Sequence, residues 1–184
     1  INCFSFDAVI FLPSILGKMK YIITCCLMLV FSVYGNAQKI VMRVVYTQGG
    51  ALPETGEVVK ALEFKIAAAV TYGAGTGASV GKAQPGTLFI KKDIDSSATP
   101  FFRRIVQGVH SPTIVFDYFD DKNVNYYSIT ITDAFVTNIE FLTPECPSCL
   151  KLENLIGFVF KTIKLEDKIK KINTTWDIAQ MRIL

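Results

Sequence analysis

The stretch VNYYSITITDAFVTNIEF, Val124 to Phe141, alternates apolar and polar side chains for most of its length. Tyr127, Ile129, Ile131, Phe135, Ile139 and Phe141 share one face at period two, which predicts a long strand, or two in succession, against a core. A strand this long commits the chain to β architecture. Its backbone N–H and C=O groups need partner strands, because buried backbone groups left unpaired are costly.

Candidate partners occur along the chain. Lys39–Gln48 is rich in β-branched residues and stops at Gly49-Gly50, so it reads as a strand. Val58–Val70, Thr87–Ile94, Thr113–Phe119, Asn154–Asp167 and Ile172–Ile178 read as further strands, and Asp120–Asn123 as a turn. Thr71–Gly86 reads as a long flexible segment by its glycine content. One short helix is predicted in TPFFRRIVQG, with Thr99 as N-cap, Pro100 at the first helical position and Gly108 as the stop. Phe102, Ile105, Val106 and Val109 would form its apolar face, leaving Arg103, Arg104 and Gln107 largely outside. Seven or so strands and one helix predict a mainly β fold, either a small β-barrel or two packed antiparallel sheets with one short lateral α-helix.

The chain has 184 residues, of which 51% are hydrophobic. Much of the excess lies in MKYIITCCLMLVFSVYGNAQ, which reads as a secretory signal peptide. Met19 is a start, Lys20 a minimal basic region, Tyr21–Val33 the apolar region, and Ala37 the small residue before cleavage. The apolar region is short for a membrane span. Residues 1–18 read as an upstream or unprocessed extension, residues 19–37 as the signal, and residues 38–184 as a single domain. A secreted, periplasmic or cell-surface location follows, with no stable membrane insertion once the signal is removed. Beyond residue 37 the chain carries 17 basic and 15 acidic side chains, a near-balance that argues against a nucleic-acid binder.

The motifs that tempt a chemical reading are weak. GASVGK ends in Gly-Lys, but Thr76 stands where a phosphate loop needs glycine and Ala83 where it needs Ser or Thr. His110 is the only histidine, and its neighbour Ser111 does not supply triad geometry. Cys146 and Cys149 form C-x-x-C within a Pro-flanked loop, which favours a local disulfide over free thiols or redox catalysis. Asp120 and Asp121 read as hairpin-turn residues. Asp93 and Asp95 flank the start of the helix, where carboxylates meet the positive end of its dipole.

The order of parts resembles the haemolysin-coregulated (Hcp) tube proteins of type VI secretion. The passage TLFIKKDIDSSATP carries Lys91, Lys92, Asp95 and Thr99-Pro100 in the family's strand-to-helix pattern. The Gly-rich loop Tyr72–Gly86 before it and the last apolar strand Phe158–Leu165 also match. The resemblance implies a β-barrel with a lateral helix, assembled as hexameric rings. Those rings stack into a tube that carries effectors or is ejected with them, alongside sheath or spike proteins. It implies no enzyme activity: no catalytic residues, no cofactor and no metal. Tyr72, Gly73, Gly75, Gly77, Gly81 and Lys82 are then expected to reach a neighbouring subunit, and Arg103 and Arg104 to face solvent or a neighbour. Two features depart from the family: the signal-like segment, since members usually act in the cytoplasm before secretion, and the CPSC loop. The rival readings are a secreted monomeric β-barrel binding module and a thiol oxidoreductase.

Overall fold

The computed structural model describes residues 38–73, 77–143 and 152–184. The signal-like segment, Gly75, Cys146 and Cys149 lie outside the described residues. The described chain forms fourteen strands and one helix. In chain order these are β1 (Lys39–Val45), β2 (Glu57–Val59), β3 (Ala61–Glu63), β4 (Ile66–Ala67), β5 (Val70–Gly73), β6 (Gly77–Val80), β7 (Gln84–Pro85) and β8 (Leu88–Asp93). Then come α1 (Ala98–Gln107), β9 (Ser111–Phe119), β10 (Asn125–Leu142), β11 (Glu153–Val159), β12 (Thr162–Asp167), β13 (Ile172–Asp177) and β14 (Arg182–Ile183).

β10 is one continuous strand of 18 residues that belongs to both layers. Its first half pairs with β9 on one side and β12 on the other, giving the sheet β2-β1-β9-β10-β12-β13-β14. Its second half pairs with β11 and opens the sheet β10-β11-β8-β3. All pairs are antiparallel. The fold is two packed sheets and not a closed barrel: the ladder breaks at Lys60 between β2 and β3, and β12–β14 extend beyond β10 to a free edge. Met42, Leu88, Ile90, Ile114, Phe116, Ile131, Ile156 and Phe158 fill the space between the layers.

Several sequence expectations need correction. Val58–Val70 is not one strand, because it divides among β2, β3, β4 and the start of β5 as the chain passes between layers. Asn154–Asp167 divides into β11 and β12 around Phe160-Lys161, where the chain turns from one sheet to the other. The single-face reading of β10 also fails. Asp133 has φ +48°, a left-handed conformation that flips the alternation. Ala134 and Val136 therefore point inward and Phe135 outward, 42% exposed. A bulge between Val136 and Asn138 flips it again, so Ile139 returns to the core. Phe141, at the end of the strand, is 58% exposed.

The helix occurs, but it starts earlier. Ser97 is the N-cap, and Thr99 and Pro100 lie in the first turn, where proline's missing N–H costs no helical bond. Gly108 ends it at φ +64°, and Val109 N–H donates to Arg104 O at 3.1 Å. The buried side is Ala98 and Phe101, with Ile105 packed against the core. The expected face is wrong for Phe102, Val106 and Val109, which remain in solvent. Phe101 meets Phe158 edge-on, with ring centroids 5.5 Å apart, and Tyr46 at 6.3 Å. These contacts anchor the helix on the core through Phe101.

Candidate assembly surfaces

The glycine-rich segment is a two-stranded arm. β4 pairs with β7 and β5 with β6, through Ile66↔Pro85, Ala67↔Gln84, Val70↔Val80 and Tyr72↔Ala78. Gly86 N–H donates to Lys65 O at 2.8 Å and Gly81 N–H to Ala69 O at 2.7 Å, so the strands stay in register along the arm. Thr71 Oγ1 and Ser79 Oγ lie 2.7 Å apart across it. Reading this segment as a flexible loop is therefore wrong: alternate backbone pairing stiffens it even though its composition is loop-like. Gly73, Gly77, Gly81 and Lys82 all lie on the arm, and Tyr72 is 82% exposed there. Ile66, Val70 and Val80 are exposed too. At its base, Ile66 and Ala83 join Phe64, Ile163, Leu165 and Trp176 around an apolar groove of about 380 Å³.

The Lys-Lys-Asp passage is held by two separate charge clusters. Alternation along β8 turns Leu88, Ile90 and Lys92 inward and Lys91 and Asp93 outward. Lys92 is fully buried, with Nζ 2.5 Å from Glu57 Oε2 and 2.5 Å from Asp95 Oδ1, and it also donates to Ser97 Oγ. Asp95 further accepts from Ser97 N–H at 2.9 Å and Ser97 Oγ at 2.8 Å. This cluster fixes the turn that launches α1. Asp95 thus supports the start of the helix through Ser97 and Lys92, whereas Asp93, expected beside it, turns outward to Lys60 and does not serve the helix end. On the outer face, Glu153 pairs with Lys60 at 2.6 Å and Lys91 at 2.7 Å, and Lys60 also meets Asp93 at 2.5 Å. Hydrogen bonds from Lys60 and Lys91 hold the Glu153 carboxyl below its usual range.

Burial alone would raise the Asp95 pKa, but hydrogen bonds from Lys92 and Ser97 outweigh it and the net shift is downward from 3.8. A carboxyl whose folded pKa is depressed contributes stability above its unfolded value and loses it as pH falls. The domain is therefore expected to lose stability below about pH 4, with a shallower acid limb in Asp95→Asn. Urea unfolding at a series of pH values checks this.

The two arginines differ. Arg103 is exposed. Arg104 is half-buried and donates to the carbonyl oxygens of Tyr46 and His110, with its guanidinium 5.1 Å from the Tyr46 ring centroid. Burial, then the Glu57 charge, pushes the Tyr46 phenol up to about 12. Arg104 thus ties the helix end to β1 and β9. A groove of about 550 Å³ beside α1 is lined by Tyr46, Pro100, Arg103, Arg104, Gln107 and Val109.

The remaining motifs have structural surroundings. His110 Nε2 lies 3.5 Å from Asp133 Oδ1 and its ring packs on Phe135, while the Ser111 side chain is buried. Asp120 Oδ1 accepts from the Lys122 and Val124 N–H groups and closes the β9–β10 turn, as expected. Gly77–Val80 is a strand that no helix follows, so a phosphate-binding loop has no N-terminus to use. Among the described residues, no three His, Cys, Asp or Glu side chains gather as a metal site, and no helix is long and apolar enough to cross a membrane.

The profile of the family described as "Type VI secretion system effector, Hcp" matches residues 55–166. The chain belongs to the Hcp family. It is thereby a structural protein of the type VI secretion tube family. No curated protein sequence matches it. Among solved structures, one described as a type six secretion system protein superposes with a TM-score of 0.67 at 16% identity, covering 80% of this chain and 100% of that one. Hcp1 from Salmonella typhimurium gives 0.64 at 18% identity, covering 80% and 99%. The baseplate of the anti-feeding prophage gives 0.54 at 9% identity, covering 70% and 93%. Identities this low show a shared fold. The Hcp-type passage from Lys91 to Pro100 is where the buried Lys92 cluster and the start of α1 coincide.

Proposed function

We propose that this Hcp-family chain assembles into hexameric rings that stack into a tube, which carries effectors or leaves the cell with them. The arm carries this reading. A two-stranded ribbon with no layer behind it is marginal in water, yet this one exposes Ile66, Val70, Tyr72 and Val80. A neighbouring subunit that covers those side chains and pairs with its edges would supply the missing layer. The role is structural, with no catalytic step. Arg103 lies at the helix surface, where a neighbour can reach it, whereas Arg104, expected there too, is turned to the Tyr46 and His110 carbonyl oxygens of its own chain.

In this reading residues 19–37 direct export, residues 38–184 are the assembling domain, and Cys146 and Cys149 close a disulfide favoured outside the cytoplasm. Sheath, spike and effector proteins are the further partners. Light scattering of the purified protein across a concentration series tests the assembly. A mass of six subunits or a multiple is expected. A monomer at every concentration would instead support a secreted binding module that keeps the fold without the tube.

A further inference from the structure

We infer that the exposed stripe of α1 on one copy docks on the outer face of the β10-β11-β8-β3 sheet of a second copy, with Arg103 paired to Glu140. This rests on the homo-oligomeric reading above and names the surfaces it uses. Phe102 and Val106, 52% and 70% exposed, lie one turn apart on the same side of the helix, and Val109, 45% exposed, follows just past the Gly108 stop. Such a row on a helix otherwise anchored by Ala98, Phe101 and Ile105 is an unpartnered apolar ridge.

The receiving face is equally unusual. Register places Leu142, Glu140 and Phe135 of β10 beside Glu153, Leu155 and Val159 of β11, all pointing away from the core. The outward side of an antiparallel sheet is ordinarily polar. Here Phe135 and Val159 are 42% and 41% exposed, and the Phe89 ring lies over Gly157, where an added Cβ would come within 3.0 Å of it.

Charge selects the pairing. On this face Lys60 and Lys91 are taken up by Asp93 and Glu153. Glu140 is exposed and, among the described residues, accepts only from Asn138 Nδ2, at 2.9 Å. Among the described residues neither Glu140 nor Arg103 has an ion-pair partner. Glu54, also exposed, lies in the β1–β2 loop and off this sheet face, while the acidic turn Asp120-Asp121 lies at the same sheet end as Lys122, Lys168, Lys170 and Lys171, since Tyr127 pairs with both Tyr118 and Asp167. That end offers a guanidinium little attraction. Ridge and sheet face occupy different surfaces of one subunit, because Phe101 enters the core on the side of the sheet opposite Leu155. The contact is therefore heterologous and propagates into a ring if the rotation closes.

Charge reversal tests this. Arg103→Glu and Glu140→Arg are each expected to raise the concentration needed for assembly about tenfold or more, and the double variant to restore it. Both positions are on the surface, and unchanged circular dichroism and Tm would confirm folding. If the parent chain assembles and both single variants assemble equally well, the inference falls while the homo-oligomeric reading stands. Loss in both without recovery in the double variant overturns the Arg103–Glu140 pairing. A monomeric parent overturns the homo-oligomeric reading itself.

Discussion

Lys92→Ala is expected to destabilise the domain by about 3–5 kcal/mol, measured by urea unfolding at neutral pH. The ammonium is fully buried and has Glu57, Asp95 and Ser97 within hydrogen-bond reach. Removing it leaves two carboxylates facing each other across a void, and releases the Asp95–Ser97 turn from which α1 starts. Three effects act together: lost charge pairing, a cavity, and loosened anchoring of Phe101. Exposure of Glu57 and Asp95 to water, at 26% and 32%, moderates the cost by letting both carboxylates hydrate. Lys92→Met combined with Glu57→Gln and Asp95→Asn removes every charge while keeping the volume. That triple variant is expected to recover most of the loss, because replacing a whole buried ionic group costs far less than orphaning part of it. A single variant within about 1 kcal/mol of the parent would show that the cluster is not what holds the start of the helix.

The second large effect concerns the arm. Replacing residues 70–80 with Asn-Gly keeps the Gly81 N–H to Ala69 O bond and closes the ribbon with a two-residue turn. Ile66 and Ala83 remain at the base, beside Trp176. None of the described residues in this span belongs to the core cluster or packs against it, so stability is expected to stay within about 1 kcal/mol of the parent. Assembly beyond a single subunit or ring, read by sedimentation velocity, is expected to disappear. Stacked rings from the shortened protein would show that the arm is dispensable, and a failure to fold would show that it supports its own subunit.

The strands were readable because period-two runs survive translation into structure. β1, β8 and β13 lie within their expected segments, and β9 starts two residues before its own, at Ser111. Gly108 marked the end of the helix as anticipated, while Pro100 marked its first turn and not its first residue, since the helix begins at Ala98. Its orientation was not readable, because Phe101 and Phe102 are neighbours and either can lead an apolar stripe. The choice falls to the Asp95–Ser97 turn, which depends on Lys92 and on Glu57, 35 residues away in sequence. A signal for Lys92 did exist: extending the Leu88, Ile90 alternation by two residues points it inward. Its acidic partner could be found only through the crossing of β2 and β8. The outward turn of Phe135 was hidden for a different reason. Nothing in the composition of β10 announces that Asp133 takes a left-handed conformation, yet that one residue reverses the faces on either side of it. The arm was hidden by glycine content, which reports permitted backbone freedom and does not say whether a partner strand removes it.

Electron microscopy of the purified protein at high concentration tests the central claim most directly. Six-fold rings, isolated or stacked into tubes, are the predicted images. A field of single globular particles with no rings, at concentrations where the protein remains folded, would contradict it.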